Sequence, residues 1–307
     1  MQQVTVRVPA STSNLGPGFD CLGVALRLYN DVTVSRGRGE AVGKMARSAA
    51  AAFFKRAKAR PFAFSCIITG DVPQSRGLGS SVTVRAGLLH GLNELAGRPL
   101  QRGAIFDLCA KLEGHPDNAA PACYGGFNVV RGTTVQMFTV SARLHFVLLI
   151  PNFEIATAKA RTLLPARIDR LKAVENSRNA CAITAAFASR EYQNLRGAFS
   201  DHLHQPFRKK LIPFLDDTIA AAQSAGALGA FLSGSGSTIC AITLGSADKV
   251  ARAMLRAADS SGAQTLITAA DNHGARILQI ENLPAALRAA MRAGRKSKFE
   301  NSHEPAH

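Results

Sequence analysis

The chain has no tryptophan, three tyrosines and only 6% aromatic residues. That scarcity argues against a single-stranded nucleic-acid platform, which stacks bases on aromatic side chains. The six cysteines are Cys21, Cys66, Cys109, Cys123, Cys181 and Cys240, and none forms a CxxC pair. Most sit among apolar neighbours and read as reduced core residues of a cytoplasmic protein, without the spacing of a zinc site or a disulfide framework. No apolar run reaches the roughly 18 residues that a membrane-spanning helix needs. The first residues, Met1-Gln2-Gln3-Val4, enter an alternating pattern directly and lack the shape of a signal peptide. There is no GxxxxGK[ST], no HRD or DFG, and no GxGxxG after the first strand. A P-loop, a protein-kinase site and a Rossmann dinucleotide site are therefore disfavoured.

Acidic residues are also scarce. Against 37 Lys+Arg stand 21 Asp+Glu, a net charge of +16. Much of the excess is local: residues 36–60 carry eight basic residues and one acid, and residues 283–307 carry five and two. Such clusters attract polyanions. With no aromatic residues interleaved, they read as solvated surface rather than as a specific nucleic-acid site.

At 307 residues, 47% of them hydrophobic and 19% charged, the chain is long enough for two domains with cores of their own. Val4, Val6 and Val8 alternate with polar residues as in a half-buried strand. Further strands are expected at 22–28, 32–34, 62–69, 127–130, 144–150, 265–268 and 275–280. Helices are expected at 45–59, from Ser80 to about Ala96, at 100–113, around Lys159 and Arg161, through about Ser189, at 208–224 and at 250–258. The shift at Thr139 to Leu144 marks a candidate domain boundary. Beyond Pro284 a short basic helix and a polar tail are expected.

Three glycine-rich loops each follow an expected strand. The first is Pro9-Ala10-Ser11-Thr12-Ser13-Asn14-Leu15-Gly16-Pro17-Gly18-Phe19-Asp20, where Asn14 and Asp20 can orient a polar ligand. The second is Val72-Pro73-Gln74-Ser75-Arg76-Gly77-Leu78-Gly79-Ser80-Ser81. Its glycines allow a tight turn and a close backbone approach, and Ser80 or Ser81 is a plausible helix cap. A glycine turn that opens a helix presents unpaired N–H groups to an anion, so this loop is a candidate phosphate cradle. The third is Ser233-Gly234-Ser235-Gly236-Ser237-Thr238, between two apolar runs. A fourth stretch, Glu113-Gly114-His115-Pro116-Asp117-Asn118, gathers two carboxylates, an imidazole and an amide. Alone, His115 reads as a loop histidine and Asp117 as a turn-former after proline. Loops spread over the whole chain argue for one composite site with phosphate at its centre.

The four stretches, at 9–22, 73–81, 113–126 and 233–238, resemble in order the signatures of the GHMP small-molecule kinases. The first and third, with Gly-His-Pro-Asp-Asn-Ala-Ala-Pro at 114–121, are similar to those of the homoserine kinases in particular. The resemblance covers roughly residues 4–282. It implies an α+β fold of two domains, an N-terminal ATP-binding domain at 1–142 and a ferredoxin-like C-terminal domain at 143–282, followed by the basic segment 283–307. It implies ATP and Mg²⁺, and phosphorylation of the side-chain hydroxyl of L-homoserine on the route to threonine. Another small hydroxylated metabolite, or a non-catalytic sensor on the same fold, are the alternatives. A homodimer is compatible with the family.

By the same resemblance, Pro73, Gln74, Ser75, Arg76, Gly77, Leu78, Gly79, Ser80 and Ser81 would wrap the nucleotide phosphates. Ser81 and Glu113 would hold Mg²⁺. Asn14 and Asp20 would orient the substrate, Asp20 toward its ammonium. Asn118 would sit at the reacting hydroxyl, with Glu113 as its catalytic companion. Arg161 and Arg208, helped by Thr157, would take the carboxylate, and Gly234 would close the site from the second domain. An amide cannot accept a proton usefully, so deprotonation is expected without a dedicated side-chain base at Asn118. The chain departs from the family at several points. Val82 stands where a small residue is usual, Gly70-Asp71 where a lysine is usual, and Ser237 where a proline is usual. The 31–62 segment is shorter, with Lys44-Met45 in place of an Asn-aliphatic pair.

Overall fold

Alternation along the first two strands builds the first layer of the protein. A computed structural model describes residues 3–37, 43–258 and 262–278. β1 (Gln3–Ser13) and β2 (Leu22–Arg36) are long antiparallel strands, and the register between them shifts at Pro9/Ala10. The two short strands expected at 22–28 and 32–34 are one continuous strand. β2 pairs with β3 (Phe64–Gly70) along its second half and with β4 (Phe127–Arg131) along its first. β5 (Thr134–Phe138), for which no strand was expected, extends the sheet from β4. Helices α1 (Lys44–Ala57), α2 (Ser80–Leu95), α3 (Arg102–Glu113) and α4 (Ala119–Tyr124) complete this unit. Val4, Val6, Val8, Val32 and Val34 on the sheet meet Phe53, Leu88, Leu92 and Phe106 on the helices in one apolar core.

The chain passes to a second sheet within 139–144. β6 (His145–Ile150) is its first strand. It is followed by α5 (Thr157–Thr162), α6 (Arg170–Ser189), α7 (Gln205–Arg208) and α8 (Leu215–Ser224), then β7 (Gly229–Leu232), β8 (Ile239–Thr243), α9 (Ala247–Ala257) and β9 (Gln264–Ala269). The strand order is β7-β8-β6-β9, antiparallel throughout. This is the split βαβ arrangement, with helices between the strands. The helix expected over 208–224 is broken: a 3-10 turn at Lys209–Leu211 follows α7, and α8 restarts beyond Pro213, which cannot donate an N–H within a helix.

β6 is apolar on both faces because both are covered. Val147 and Leu149 pack with Ala230, Leu232, Val250 and Met254. Phe146 and Leu148 face the other way, into a core shared with Leu22, Val24, Leu26 and Phe127 of the first unit. At about 25 cal/mol per Å² of apolar area removed from water, this shared core is a large stabilising contact between the units. The chain then returns: β10 (Arg276–Leu278) pairs with β1, so the first sheet recruits a strand from beyond the 139–144 crossing. The basic segment 283–307 lies outside the described residues, as do 38–42 of the other basic stretch. No helix among the described residues is long and apolar enough to cross a membrane.

Candidate active site

The three glycine-rich loops and the 113–118 stretch meet at one cavity of about 320 Å³ between the two units. Two glycines account for the close fit. Gly77 has φ +73°, and a Cβ there would lie 2.1 Å from the Ser233 carbonyl oxygen. Gly79 has φ +69°, and its Cβ would lie 2.4 Å from Ser11 Oγ. Gly79, not a serine, is the N-cap residue of α2, and no side chain caps the helix. Ser80 and Ser81 therefore lie in the first turn. Their hydroxyls are not spent on capping, and both residues line the cavity. Uncapped first-turn N–H groups and the helix dipole suit an anion here.

Hydrogen bonds stitch the second loop to the second unit. Ser233 Oγ donates to the Gly77 carbonyl at 2.6 Å, Thr238 N to Arg76 O at 3.2 Å, and Ile155 N to Ser75 O at 3.1 Å. Arg76 Nε donates to Pro151 O at 3.0 Å. The first loop is tied in by Gly234 N donating to Ser13 O at 3.2 Å.

Asn118 stands at the junction. Its Oδ1 accepts from Ser11 Oγ at 2.8 Å and its Nδ2 donates to Ser13 Oγ at 2.9 Å. Both ends of the amide are fixed, so its orientation is set before any ligand arrives. Next to it, His115 and Asp117 also line the cavity, although the sequence offered both as ordinary loop residues. Their Nδ1 and Oδ1 atoms lie 3.3 Å apart without the alignment of a hydrogen bond. Asp117 raises the His115 pKa above its ordinary value, against the opposing effect of burial.

At one end the cavity presents charges suited to a zwitterion. Asp20 and Arg161 form a fork, Nη1 to Oδ2 at 3.0 Å and Nη2 to Oδ1 at 2.6 Å. Asn14 Oδ1 accepts from the Asp20 N–H at 3.1 Å, and Asn14 Nδ2 donates to Gly234 O at 3.0 Å. Arg208 is 2% exposed, and its Nη1 donates to the same Gly234 oxygen at 2.9 Å. Desolvation lowers its pKa to about 10, so it stays charged at neutral pH. Both guanidiniums lie 5.3 Å from the Phe19 ring centroid. Arg161 Nε is buried without a hydrogen-bond partner. Thr157 Oγ1 and Ser235 Oγ lie 3.2 Å apart at the rim.

His204 was not singled out in the sequence. It sits four residues before Arg208, fully buried and stacked on Phe19 at 5.3 Å. Its Nε2 is 2.9 Å from Gly16 O and its Nδ1 3.3 Å from Arg208 Nη1. A carbonyl can only accept and a guanidinium can only donate, so the ring is neutral with its proton on Nε2. Desolvation lowers its pKa to about 4. The spacing His-x-x-x-Arg was the available signal, since residues i and i+4 share a helix face.

At the other end, Ser81 Oγ donates to Glu113 Oε2 at 3.0 Å, and Arg85 pairs with Glu113 Oε1. A hydroxyl and a carboxylate facing the cavity are the hard oxygen donors a divalent cation such as Mg²⁺ takes, with phosphate oxygens and water completing its shell. Of the candidate nucleotide residues, Gln74, Ser75, Arg76, Gly77, Gly79, Ser80 and Ser81 line the cavity. Pro73 and Leu78 are not on its wall, and the Leu78 side chain packs in the shared apolar core. Val82 and Met45 are on the wall, at positions where the chain departs from the family pattern.

The model of the GHMP kinases N-terminal domain matches residues 44–126, and that of the GHMP kinases C-terminal domain matches residues 183–260. A homoserine kinase of Caldicellulosiruptor saccharolyticus is 36% identical over 305 residues, covering 91% of this chain and 98% of its own. A homoserine kinase of Synechocystis is 39% identical over 264 residues, covering 79% and 86%. The crystal structure of a homoserine kinase from Cytophaga hutchinsonii superposes with a TM-score of 0.83 at 26% identity, covering 91% of this chain and 98% of that one.

Proposed function

This chain belongs to the homoserine kinases of the GHMP kinase family, and on that premise we propose that it transfers the γ-phosphoryl group of ATP to the side-chain hydroxyl of L-homoserine, giving O-phospho-L-homoserine for threonine synthesis in the cytoplasm. The hydroxyl oxygen attacks the γ-phosphorus, the bond to the β-phosphate oxygen breaks, ADP leaves, and the hydroxyl proton passes to a phosphate oxygen and on to water. Such transfers need positioning and charge neutralisation more than covalent help from the protein. Mg²⁺ held by Ser81 and Glu113 would supply that neutralisation on the phosphate side.

The chain's own residues do the positioning. Asn118, fixed by Ser11 and Ser13, orients the reacting hydroxyl. Asp20 takes the substrate ammonium. Arg161 and Arg208 take its carboxylate, for which a guanidinium fork is suited. The first turn of α2 and the 74–79 loop receive the phosphates.

The observation that carries the reading is the cluster of Asp20, Arg161 and buried Arg208 around Phe19: a carboxylate paired with one guanidinium, and a second guanidinium against the same ring. An amino acid has the complementary pair of charges, whereas a simple sugar has neither and mevalonate has a carboxylate without the ammonium. The test is an ATP-consumption assay with Mg²⁺ over L-homoserine, L-threonine, L-serine, mevalonate and simple sugars. Homoserine should be consumed fastest, with phosphate on the side-chain oxygen. Faster turnover of mevalonate or a sugar would overturn the substrate assignment.

A further inference from the structure

Arg85 is engaged at the phosphate end, and neither the fold nor the transfer chemistry above accounts for it. It follows Ser81 by four residues on α2, so the two side chains leave the same helix face one turn apart. Its partner Glu113 is the last residue of α3, ahead of Gly114 in the left-handed conformation. A carboxylate there faces the negative end of its own helix dipole, and its side chain is only 6% exposed. A charge so buried needs a positive partner. Arg85, with a side chain 21% exposed, supplies it.

The direction of approach matters. Ser81 and Glu113 line the cavity, and Arg85 does not. The guanidinium therefore holds Oε1 from behind, while Oε2, shared with the Ser81 hydroxyl, is left for the cavity side. A cation coming to Oε2 from the cavity meets a carboxylate whose charge is already balanced, with a fixed positive charge a few ångströms behind it. Once a triphosphate lies in front, its negative charge outweighs that repulsion.

We propose that Arg85 tunes metal uptake: it is a built-in counter-cation behind Glu113 that keeps the nucleotide-free site from capturing a divalent cation, so that the metal enters with the triphosphate. This rests on the reading that Ser81 and Glu113 hold the metal. Arg85 touches neither substrate nor reacting atoms and acts through Glu113, as a positioning residue.

The test uses the full chain and Mn²⁺ as the probe, with free Mn²⁺ read by electron paramagnetic resonance. Without nucleotide, Arg85→Met should bind Mn²⁺ about ten-fold more tightly than wild type, the low end of what a unit charge within about 4–6 Å does to a neighbouring equilibrium. Arg85→Lys keeps the charge and should stay close to wild type. With a non-hydrolysable ATP analogue present, the gap between Arg85→Met and wild type should shrink. Melting should follow the same order, with Mn²⁺ raising the Tm of Arg85→Met more than that of wild type. A merely structural arginine would give weaker metal binding on removal, not tighter. Equal or weaker Mn²⁺ binding by Arg85→Met, or Arg85→Lys as tight as Arg85→Met, overturns the proposal. If Arg85→Met fails to fold, Arg85→Gln is read against Arg85→Lys in the same way. Glu113→Gln separates the premise: loss of Mn²⁺ binding supports the metal site, and unchanged binding overturns the metal assignment and the proposal together.

Discussion

The two ends of the cavity are built differently. At the amino-acid end, three charges are committed before a ligand arrives: the buried Arg208 to Gly234 and His204, and the half-buried Asp20 and Arg161 to each other. Its partners come from both units, so the constellation exists only in the assembled fold. At the phosphate end the cavity wall is mostly backbone and hydroxyls, with Arg76 and one carboxylate, Glu113, which is buried against Arg85; Ser81 is exposed. An end built from fixed charges of both signs discriminates, because a ligand without the matching charges leaves groups unpaired. An open end accommodates a flexible, highly charged group whose own metal and water complete the contacts. Substrate choice and phosphoryl transfer should therefore be separable by mutation.

The largest expected effect is at the rigid end. Arg208→Ala removes a fully buried charge, leaves His204 Nδ1 without a donor and leaves Gly234 O with Asn14 alone. Losing one partner of a buried charged pair typically costs about 2–5 kcal/mol, so kcat/KM for homoserine should fall by roughly 10²–10³. KM for ATP, measured with homoserine saturating, should change little. An equal loss for both substrates would erase the contrast between the two ends.

Next comes the open end. Glu113→Gln should lower kcat by about 10²-fold, as loss of a charge-stabilising group does, with homoserine binding retained. Near-normal turnover would remove Glu113 from the metal site.

A smaller effect is expected where the ends are joined. A Cβ at Gly77 is strained by its positive φ and meets the Ser233 carbonyl. Gly77→Ala should cost about 1–3 kcal/mol of stability and raise KM for ATP more than KM for homoserine. Calorimetry together with kinetics checks both halves. An unchanged Tm would mean that the loop moves freely away from the second unit.

How much of this could be read in the sequence depends on range. Helix α3 is local, and the helix expected at 100–113 matches it. Most of the residues that line the cavity come from the four motif stretches, and Thr157, Arg161 and Arg208 come from outside them. Partners that depend on long-range packing stayed hidden. β10 is three described residues joined to a strand some 270 positions earlier, and no local pattern encodes that pairing. Gly77 invites a phosphate reading in sequence, yet a Cβ there would first meet the Ser233 carbonyl. His204 and Arg85 each lie one helical turn from a residue that was identified, and burial alone distinguishes them from surface residues.

The smallest effect is in pH. The folded pKa of His204, about 4, lies below its ordinary 6.5. Between those values the unfolded chain binds a proton that the folded chain refuses, so stability falls as pH falls from about 6.5 toward 4. His204→Gln, which removes the titration, should flatten that part of the stability curve and raise KM for homoserine by loosening Arg208. Urea unfolding at pH 7, 6 and 5 reads the slope. The same slope in the variant would assign it to other groups.

The separation of the two ends is tested most directly with homoserinol, which keeps the side-chain hydroxyl and ammonium of homoserine but carries a hydroxymethyl group in place of the carboxylate. Initial rates on both compounds would be compared for wild type, Arg161→Ala and Arg208→Ala at saturating ATP. Wild type should use homoserinol poorly, and neither variant should lose much more on it, because the group the arginines read is already missing. If both variants lose homoserinol activity as severely as homoserine activity, the arginines do not read a carboxylate, and the amino-acid end is not what selects the substrate.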